Sequence, residues 1–249
     1  MDLEKGPEVR LIGAPMNKLF IVGDSTLCHY DDEPDRFIPR NGYGMWLHKY
    51  FKDLNVVNLA LSGRSSKSFV SEDYYAKLLK EMGKGDYLLI CFGHNDEKTD
   101  DRRTDPTMAV DDPASMSYWL YNYYVSKAKA VGATPIMVSS IVRRNLSDDY
   151  TGQSGHVIDR GDYPQFLRTF AKFYDLSFVD MTKETSKLYK KVGHQRAKDF
   201  HATNDLDPDN VDNTHLNAFG ASIIANVFAK AVYGDKACPI NKFVDPGTL

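Results

Sequence analysis

Four short polar segments of the sequence carry the residue types of acyl-transfer chemistry. They contain Ser25, Gly63, Asn95 and the pair Asp212 and His215. A serine hydroxyl is a poor nucleophile until a base accepts its proton, and a neutral imidazole is suited to that task. The sequence therefore predicts Ser25 as a nucleophile and His215 as its general base.

The same segments offer the supporting groups that this reaction needs. Asp212 precedes His215 by three residues, which we expect to place it on the same side of a helical turn, where it would orient the imidazole. The backbone N–H groups of Ser25 and Gly63 and the side-chain amide of Asn95 would form an oxyanion hole, each donor contributing about 3 to 4 kcal/mol. The predicted catalytic set is Ser25, Asp212 and His215.

Each of these residues also has a purely structural interpretation. Ser25 follows an apolar run and suits a turn, Gly63 suits a hinge with positive φ, and Asn95 suits an Asx-turn. His215 stands before a predicted helix, where surface and capping histidines are common. No single position decides between these interpretations.

A further acidic pattern lies just before the last segment. Asp205, Asp207 and Asp209 alternate like the start of a calcium-binding loop. Pro208, the replacement of the required glycine by Asn210 and the lack of a distal glutamate break that match. We predict no metal site and no cofactor.

Short apolar runs alternate with helix-like segments along the chain. Continuous hydrophobicity predicts strands covered on both faces, and apolar residues at three- and four-residue spacing predict helices. The predicted strands are 19–22, 56–61, 87–92, 135–142 and 176–181, and the predicted helices are 74–82, 115–130, 164–174 and 218–232, with Asn217 as the N-cap of the last. This alternation predicts an α/β fold with a parallel, doubly wound sheet.

Parallel strands place their carboxyl ends at one edge of the sheet, and long polar segments follow three of them. Residues 26–40, 96–113 and 143–163 all exceed the usual length of a strand-to-helix loop. Such loops commonly bind ligands, although disorder is the alternative for 100–112.

Taken together, the four segments resemble those of the SGNH, or GDSL-type, hydrolases. They read GDST at 23–26, NLALSGRSSKSF at 58–69, CFGHND at 91–96 and DNTHLNAFG at 212–220. Within that family the sequences of these segments are most similar to those of the rhamnogalacturonan acetylesterase branch of carbohydrate O-deacetylases. The first segment departs from GDSL, and Ser62 stands where a second glycine is frequent; neither change touches the predicted chemistry.

The resemblance implies a flavodoxin-like three-layer α/β/α sandwich with a five-stranded parallel sheet of order 2-1-3-4-5, in one domain spanning 1–249 with its core at 18–232. It also implies a metal-independent serine esterase acting on acetylated rhamnogalacturonan, with acetylxylan or another small-acyl carbohydrate ester as the alternative. A flavodoxin-like nucleotide- or phosphate-binding module is the competing class. Phosphate binding would explain neither Asn95 nor the pair Asp212 and His215.

Rhamnogalacturonan carries galacturonate carboxylates, so a chain that binds it needs local cations. An arginine can hold a carboxylate through two hydrogen bonds, and the predicted ligand-edge loops contain Arg64, Arg102, Arg103, Arg143 and Arg144. We expect Arg64, Arg143 and Arg144 to bind substrate, with ordinary solvated charges as the alternative. His94 is a further candidate for substrate contact, with a loop-bonding role as the alternative.

Composition bounds the remaining classes of function. The 249 residues include 31 Lys and Arg against 34 Asp and Glu, a formal charge of -3, which predicts neither a nucleic-acid nor a membrane partner. The N-terminal segment lacks an apolar core of signal-peptide length, and three cysteines favour free thiols in a reducing compartment. We therefore expect a cytoplasmic protein, although a secreted chain with its signal removed would look the same.

Overall fold

The computed structural model describes residues 16–30, 40–204 and 207–249. Its central sheet contains a strand that overlaps each of the five predicted apolar runs. The strands, in chain order, are β1 (Lys18–Gly23), β2 (Asn55–Asn58), β3 (Tyr87–Cys91), β4 (Thr134–Val138), β5 (Val157–Ile158), β6 (Gly161–Asp162), β7 (Ser177–Val179), β8 (His201–Asn204) and β9 (Asp207–Leu216).

The central sheet is parallel and has the order β2-β1-β3-β4-β7. Because β7 is the fifth strand of this sheet along the chain, the predicted order 2-1-3-4-5 is confirmed. Ile21 at the centre of β1 pairs with Asn58 on one side and with Leu89 on the other. The carboxyl ends of β1, β2 and β3 therefore lie side by side at one edge.

Alternate residues of the strands face two different cores. Leu19 and Ile21 of β1 pack in one core with Phe228, whereas Phe20 and Val22 pack in the other with Tyr124. The sheet is thus covered on both faces, which explains why its strands read as continuous apolar runs rather than as alternating ones. The three-layer architecture is confirmed.

The helices cover the predicted positions and add some that were not predicted. In chain order they are α1 (Asp73–Glu81), α2 (Met116–Trp119), α3 (Ser126–Ala130), α4 (Tyr163–Phe173), α5 (Met181–Val192), α6 (His194–Ala197) and α7 (Ala218–Gly234). A π-helical segment, Leu120–Val125, joins α2 to α3. Short 3₁₀ segments lie at Tyr43–Lys49, Ser68–Ser71, Gln153–Gly155, Lys198–Phe200, Asn241–Phe243 and Pro246–Thr248.

Helix α5 begins where the predicted strand 176–181 was expected to end. Asp180 caps this helix by accepting a hydrogen bond from the Lys183 N–H at 3.0 Å. The predicted cap of α7 is confirmed, since the Asn217 side chain accepts from the Gly220 N–H at 2.9 Å. Among the described helices, none has both the length and the hydropathy to cross a bilayer.

An antiparallel hairpin of β8 and β9 precedes α7, and the sequence did not predict it. His201 pairs with Leu216, but Thr203 pairs with Val211, so four residues of β9 bulge opposite one residue of β8. Asp212 and His215 lie in this bulge and not in a helical turn, which corrects the expected setting of their three-residue spacing. Asp205 of the calcium-like pattern lies outside the described residues.

The loops at the carboxyl edge differ in how much of them the structure describes. Of the predicted loop 26–40, residues 31–39 lie outside the described residues. The loop 143–163 contains the small antiparallel pair β5 and β6. The loop 96–113 folds back on its own start, where the Thr104 N–H donates to the Asp96 carbonyl at 3.1 Å.

Candidate active site

The turn after β1 presents Ser25 at the edge of the sheet. Asp24 is fully buried, and its Oδ1 accepts hydrogen bonds from the backbone N–H and the hydroxyl of Thr26 at 3.0 and 2.8 Å. Gly23 allows the close approach of β3 at this point, because a Cβ there would lie 2.6 Å from the Cys91 carbonyl oxygen. The backbone around Ser25 is therefore held on both sides.

Ser25, His215 and Asp212 form a continuous chain of hydrogen bonds. The Ser25 Oγ lies 3.0 Å from Nε2 of His215, and Nδ1 of the same ring lies 2.7 Å from Oδ2 of Asp212. An ionised carboxylate only accepts hydrogen bonds, so the proton of the neutral ring lies on Nδ1 and the lone pair of Nε2 faces the Ser25 hydroxyl. This arrangement can remove the proton of a serine nucleophile.

Asp212 is held as a carboxylate by its surroundings. Burial alone would raise its pKa, but the hydrogen bond and charge of His215, with two backbone N–H groups, hold the pKa well below its usual range. Those backbone groups belong to Thr214 and His215, and both donate to Oδ1 at 2.9 Å. Arg40 adds a longer contact to Oδ2 at 3.4 Å.

Two residues that the sequence did not predict support the bulge that carries His215. The Nδ1–H of His201 donates to the His215 carbonyl at 3.1 Å, and the Tyr189 hydroxyl lies 2.9 Å from Nε2 of His201. Burial lowers the pKa of His201 to about 4, so this ring is neutral near pH 7. Nothing in the sequence around His201 distinguishes it from a surface histidine.

The segments that carry the expected oxyanion donors lie next to one another. The Leu61 N–H donates to the Gly23 carbonyl at 3.0 Å, which brings the segment after β2 against the turn that contains Ser25. Gly63 has a φ of 75°, a conformation that glycine adopts without strain. The Asn95 side chain donates one amide hydrogen to the Arg64 carbonyl at 3.0 Å and retains a second one.

Buried Asp96 ties two of these segments together. Its Oδ1 accepts hydrogen bonds from the hydroxyls of Ser66 and Thr104, and the Ser66 N–H also donates to it at 3.1 Å. Burial raises the pKa of Asp96 to about 6, against the effect of these hydrogen bonds. This carboxyl group therefore fixes the segment after β2 against the segment after β3.

The three arginines expected to bind substrate have polar partners within the protein, whereas neither ring nitrogen of His94 has a hydrogen-bond partner among the described residues. His94 is only 3% exposed and packs edge to face against His156 at 4.5 Å between ring centroids, and burial lowers its pKa. Arg144 is 9% exposed and donates to the side-chain oxygen of Asn213 at 2.9 Å. Substrate contact by His94 and Arg144 stays a prediction.

Arg64 and Arg143 are partly exposed but also engaged. Arg64 donates from Nε to Glu72 at 2.6 Å, and Arg143 forms an ion pair with Glu97 and donates to the Gln153 carbonyl at 3.2 Å.

Within the described residues, no group of three His, Cys, Asp or Glu side chains is arranged to hold a metal ion.

Comparisons with known proteins agree with this geometry. A model of the GDSL-like lipase/acylhydrolase family matches residues 21–223. The chain is 30% identical over 222 residues to the rhamnogalacturonan acetylesterase RhgT of Bacillus subtilis, covering 86% of this chain and 89% of that protein. It is 25% identical over 228 residues to the rhamnogalacturonan acetylesterase of Emericella nidulans, covering 86% of this chain and 84% of that protein.

A solved structure shows the same fold. Protein YxiM of Bacillus subtilis superposes with a TM-score of 0.68 at 21% sequence identity, covering 88% of this chain. This chain spans 56% of that one. With the family model matching residues 21–223, the chain belongs to the GDSL-like lipase/acylhydrolase family of carboxylic ester hydrolases.

Proposed function

We propose that this protein is a serine esterase that removes O-acetyl groups from a plant cell-wall carbohydrate, with acetylated rhamnogalacturonan as the preferred substrate. The observation that carries the proposal is the hydrogen-bond chain from Ser25 Oγ through His215 to Asp212, with links of 3.0 and 2.7 Å. Such a chain activates a hydroxyl for attack on an ester carbonyl.

In the first half of the reaction, Ser25 Oγ attacks the acetyl carbonyl carbon while Nε2 of His215 takes the hydroxyl proton. The carbonyl oxygen becomes an oxyanion, which the N–H groups of Ser25 and Gly63 and the Asn95 amide stabilise. The C–O bond to the sugar then breaks, and the sugar oxygen takes the proton from His215. The products of this half are a free sugar hydroxyl and an acetyl-serine.

The second half repeats these steps with water. His215 takes a proton from a water molecule as its oxygen attacks the acetyl-serine, and the same donors hold the second oxyanion. Collapse of this intermediate breaks the bond to Ser25 Oγ, which recovers its proton from His215; acetic acid leaves and loses its remaining proton to the solvent to give acetate. Asp212 stays ionised throughout and stabilises the transient imidazolium.

The names of the relatives support rhamnogalacturonan as the substrate, since RhgT and its Emericella nidulans counterpart are called rhamnogalacturonan acetylesterases. One observation favours a second candidate, a neutral acetylated glycan such as acetylxylan. The arginines expected to hold galacturonate carboxylates are already engaged, Arg64 with Glu72 and Arg143 with Glu97. A cation paired with a carboxylate attracts a second carboxylate less strongly.

The test is acetate release from acetylated pectin, xylan, mannan and free oligosaccharides, measured at several salt concentrations. Faster release from pectin, weakened by salt, would support the preferred substrate. Equal or faster release from xylan without salt dependence would support the neutral glycan. The Ser25→Ala variant is the control, and its turnover on any ester must fall to near background if the proposed chemistry is correct.

A further inference from the structure

We infer that Arg102 and Arg64 act as positioning residues that hold the two loop-derived donors of the oxyanion hole, the Asn95 amide and the Gly63 N–H. Neither arginine contacts the reacting atoms in the proposed mechanism; each holds the carbonyl end of a group whose N–H end serves the reaction. This inference rests on the proposed function and deepens it by assigning what fixes the geometry of the hole.

The Asn95 carboxamide is held at both ends. Nη1 of Arg102 donates to Asn95 Oδ1 at 3.1 Å, and one hydrogen of Asn95 Nδ2 goes to the Arg64 carbonyl at 3.0 Å. Rotation of the amide by 180° would place Nδ2 against the guanidinium and Oδ1 against a carbonyl oxygen, so both contacts would become repulsive. The second Nδ2 hydrogen is therefore fixed in one direction.

The guanidinium also makes the Asn95 amide a stronger donor. A cation at the carbonyl oxygen of an amide draws electron density from nitrogen, and hydrogen bonds in series strengthen one another in a low-dielectric setting. The side chain of Arg102 is 34% exposed, so orientation contributes more than long-range charge. The benefit appears where an oxyanion forms, which is in the transition state.

The second arginine holds the peptide that contains the Gly63 N–H. Nη1 of Arg64 donates to the Ser62 carbonyl oxygen at 3.1 Å. In a planar trans peptide the C=O of Ser62 and the N–H of Gly63 point in opposite directions, so fixing the first fixes the second. Nη1 of Arg102 also reaches the Gly63 carbonyl oxygen at 3.4 Å and steadies the next peptide.

Each arginine is itself anchored by a carboxylate. Asp100 accepts from Nε of Arg102 at 2.9 Å and from Nη2, and Glu72 accepts from Nε of Arg64 at 2.6 Å. Hydrogen bonds from Arg102 lower the pKa of Asp100 to about 2, so the anchor is charged at working pH. Four of the five N–H groups of Arg102 are thereby used on protein acceptors, as expected for a positioning group rather than one that binds substrate.

The first experiment compares Arg102→Met with Arg103→Met on p-nitrophenyl acetate, which carries no charge. Arg103 is the matched control because it is the next residue in the same loop and is paired with Asp105 at 2.9 Å. We expect Arg102→Met to lower kcat about 10- to 100-fold with KM changed less than about threefold, as for loss of an interaction made in the transition state. Arg103→Met should stay within about twofold, and Arg102→Lys should recover part of the loss.

A double-mutant cycle separates positioning of Asn95 from a general structural role. If Arg102 acts through Asn95, adding Arg102→Met to Asn95→Ala should cost less than about threefold, because the group that it positions is already gone. Losses that multiply in the double variant would overturn the inference, as would an Arg102→Met variant indistinguishable from Arg103→Met.

Arg64→Met provides the corresponding test for the Gly63 peptide. It should lower kcat on the uncharged ester as well as on acetylated pectic oligosaccharides. A rise in KM confined to the charged substrate would show that Arg64 binds carboxylates instead, and would overturn this part of the inference.

A spectroscopic measurement keeps the inference testable independently of activity. The Asn95 side-chain NH₂ signals in a ¹⁵N–¹H spectrum, assigned by their loss in Asn95→Ala, should shift in Arg102→Met and stay in place in Arg103→Met. If the wild-type protein hydrolyses no ester, the proposed function fails and these spectra alone decide whether Arg102 holds Asn95. If the wild type is active and the Asn95 signals do not respond to Arg102→Met, only the inference fails.

Discussion

Replacing Asp212 by Asn should lower kcat by about 10⁴-fold, the loss that follows from pinning a triad histidine in the wrong tautomer. In the wild type, Oδ2 of Asp212 accepts the Nδ1–H of His215 while Oδ1 accepts two backbone N–H groups, both at 2.9 Å. An asparagine can keep only one of these roles, because just one end of its side chain is an acceptor.

The two backbone donors decide which end of the amide faces His215. Turning the amide away from them would leave two partly buried N–H groups without an acceptor, at about 1 to 3 kcal/mol each. The competing contact is that of Arg40 with Oδ2, which is longer at 3.4 Å and partly exposed, so it does not offset that cost. The asparagine NH₂ therefore faces Nδ1, the ring proton moves to Nε2, and Nε2 can no longer accept the Ser25 proton.

The assay is steady-state hydrolysis of p-nitrophenyl acetate, with acetate release from a pectic substrate as a second readout. A factor of 10⁴ corresponds to about 5 kcal/mol of lost transition-state stabilisation. Asp245→Asn is the matched control, because Asp245 also accepts a backbone N–H and pairs with a lysine, close to the C-terminus; we expect unchanged turnover. An Asp212→Asn protein that is folded and keeps more than about a tenth of the wild-type kcat would refute the tautomer argument.

Three further predictions test neighbouring parts of the site. Ser25→Ala and His215→Ala should each abolish nearly all ester turnover, and the double variant should be hardly slower than either, since the two act as a unit; losses that multiply would contradict this. Asn95→Ala should lower kcat by about 10² to 10³ with little change in KM; an effect on KM alone would make Asn95 a substrate-binding residue. Burial lowers the pKa of His201 from 6.5 to about 4 in the folded protein. As pH falls from 6.5 toward 4, the unfolded chain therefore binds this proton before the folded protein does, and stability is lost. The contribution of His201 to the free energy of unfolding drops by about 2 kcal/mol between pH 6.5 and 4.5. Urea unfolding should show that His201→Asn removes that drop, and an unchanged pH slope would show that burial does not perturb this ring.

The sequence predicts the sheet well because burial on both faces leaves a local signature. Leu88, Leu89 and Ile90 must all be apolar, since successive side chains of β3 enter different cores. Helix α5 has a weaker signature, because its sequence MTKETSKLYKKV is mostly polar and its first residue follows directly on an apolar run. Its cap, Asp180, looks in sequence like a polar end to a strand.

The three-residue spacing of Asp212 and His215 predicts their contact but not its cause. Helical periodicity would place them together, yet the structure does so with a bulge in β9. In this bulge Asp212 accepts hydrogen bonds from the backbone N–H groups of Thr214 and His215. Local spacing is satisfied by either backbone path. Only the pairing of β8 with β9 selects between them.

The contacts that complete the site link residues that are distant along the chain, which is why the sequence does not reveal them. Arg102 reaches the Gly63 carbonyl across 39 positions, and His201 supports His215 across 14. The expectation that the ligand-edge arginines bind substrate did not consider the carbonyl groups that lie behind the oxyanion hole. Carbonyl groups behind an oxyanion hole must point away from it, and they need donors there.

The need for hydrogen-bond donors to these carbonyl groups explains why arginines lie close to a site whose proposed chemistry requires no side-chain cation. Every N–H that faces an oxyanion belongs to an amide whose oxygen faces the opposite way. A guanidinium reaches such an oxygen from a distant loop and keeps further N–H groups for an anchoring carboxylate, as Arg102 does with Asp100 and Arg64 with Glu72. A lysine ammonium group lacks this planar fork, so it fixes the direction of a carbonyl group less firmly. An arginine close to a nucleophile is therefore weak evidence for an anionic substrate until its own hydrogen bonds have been traced.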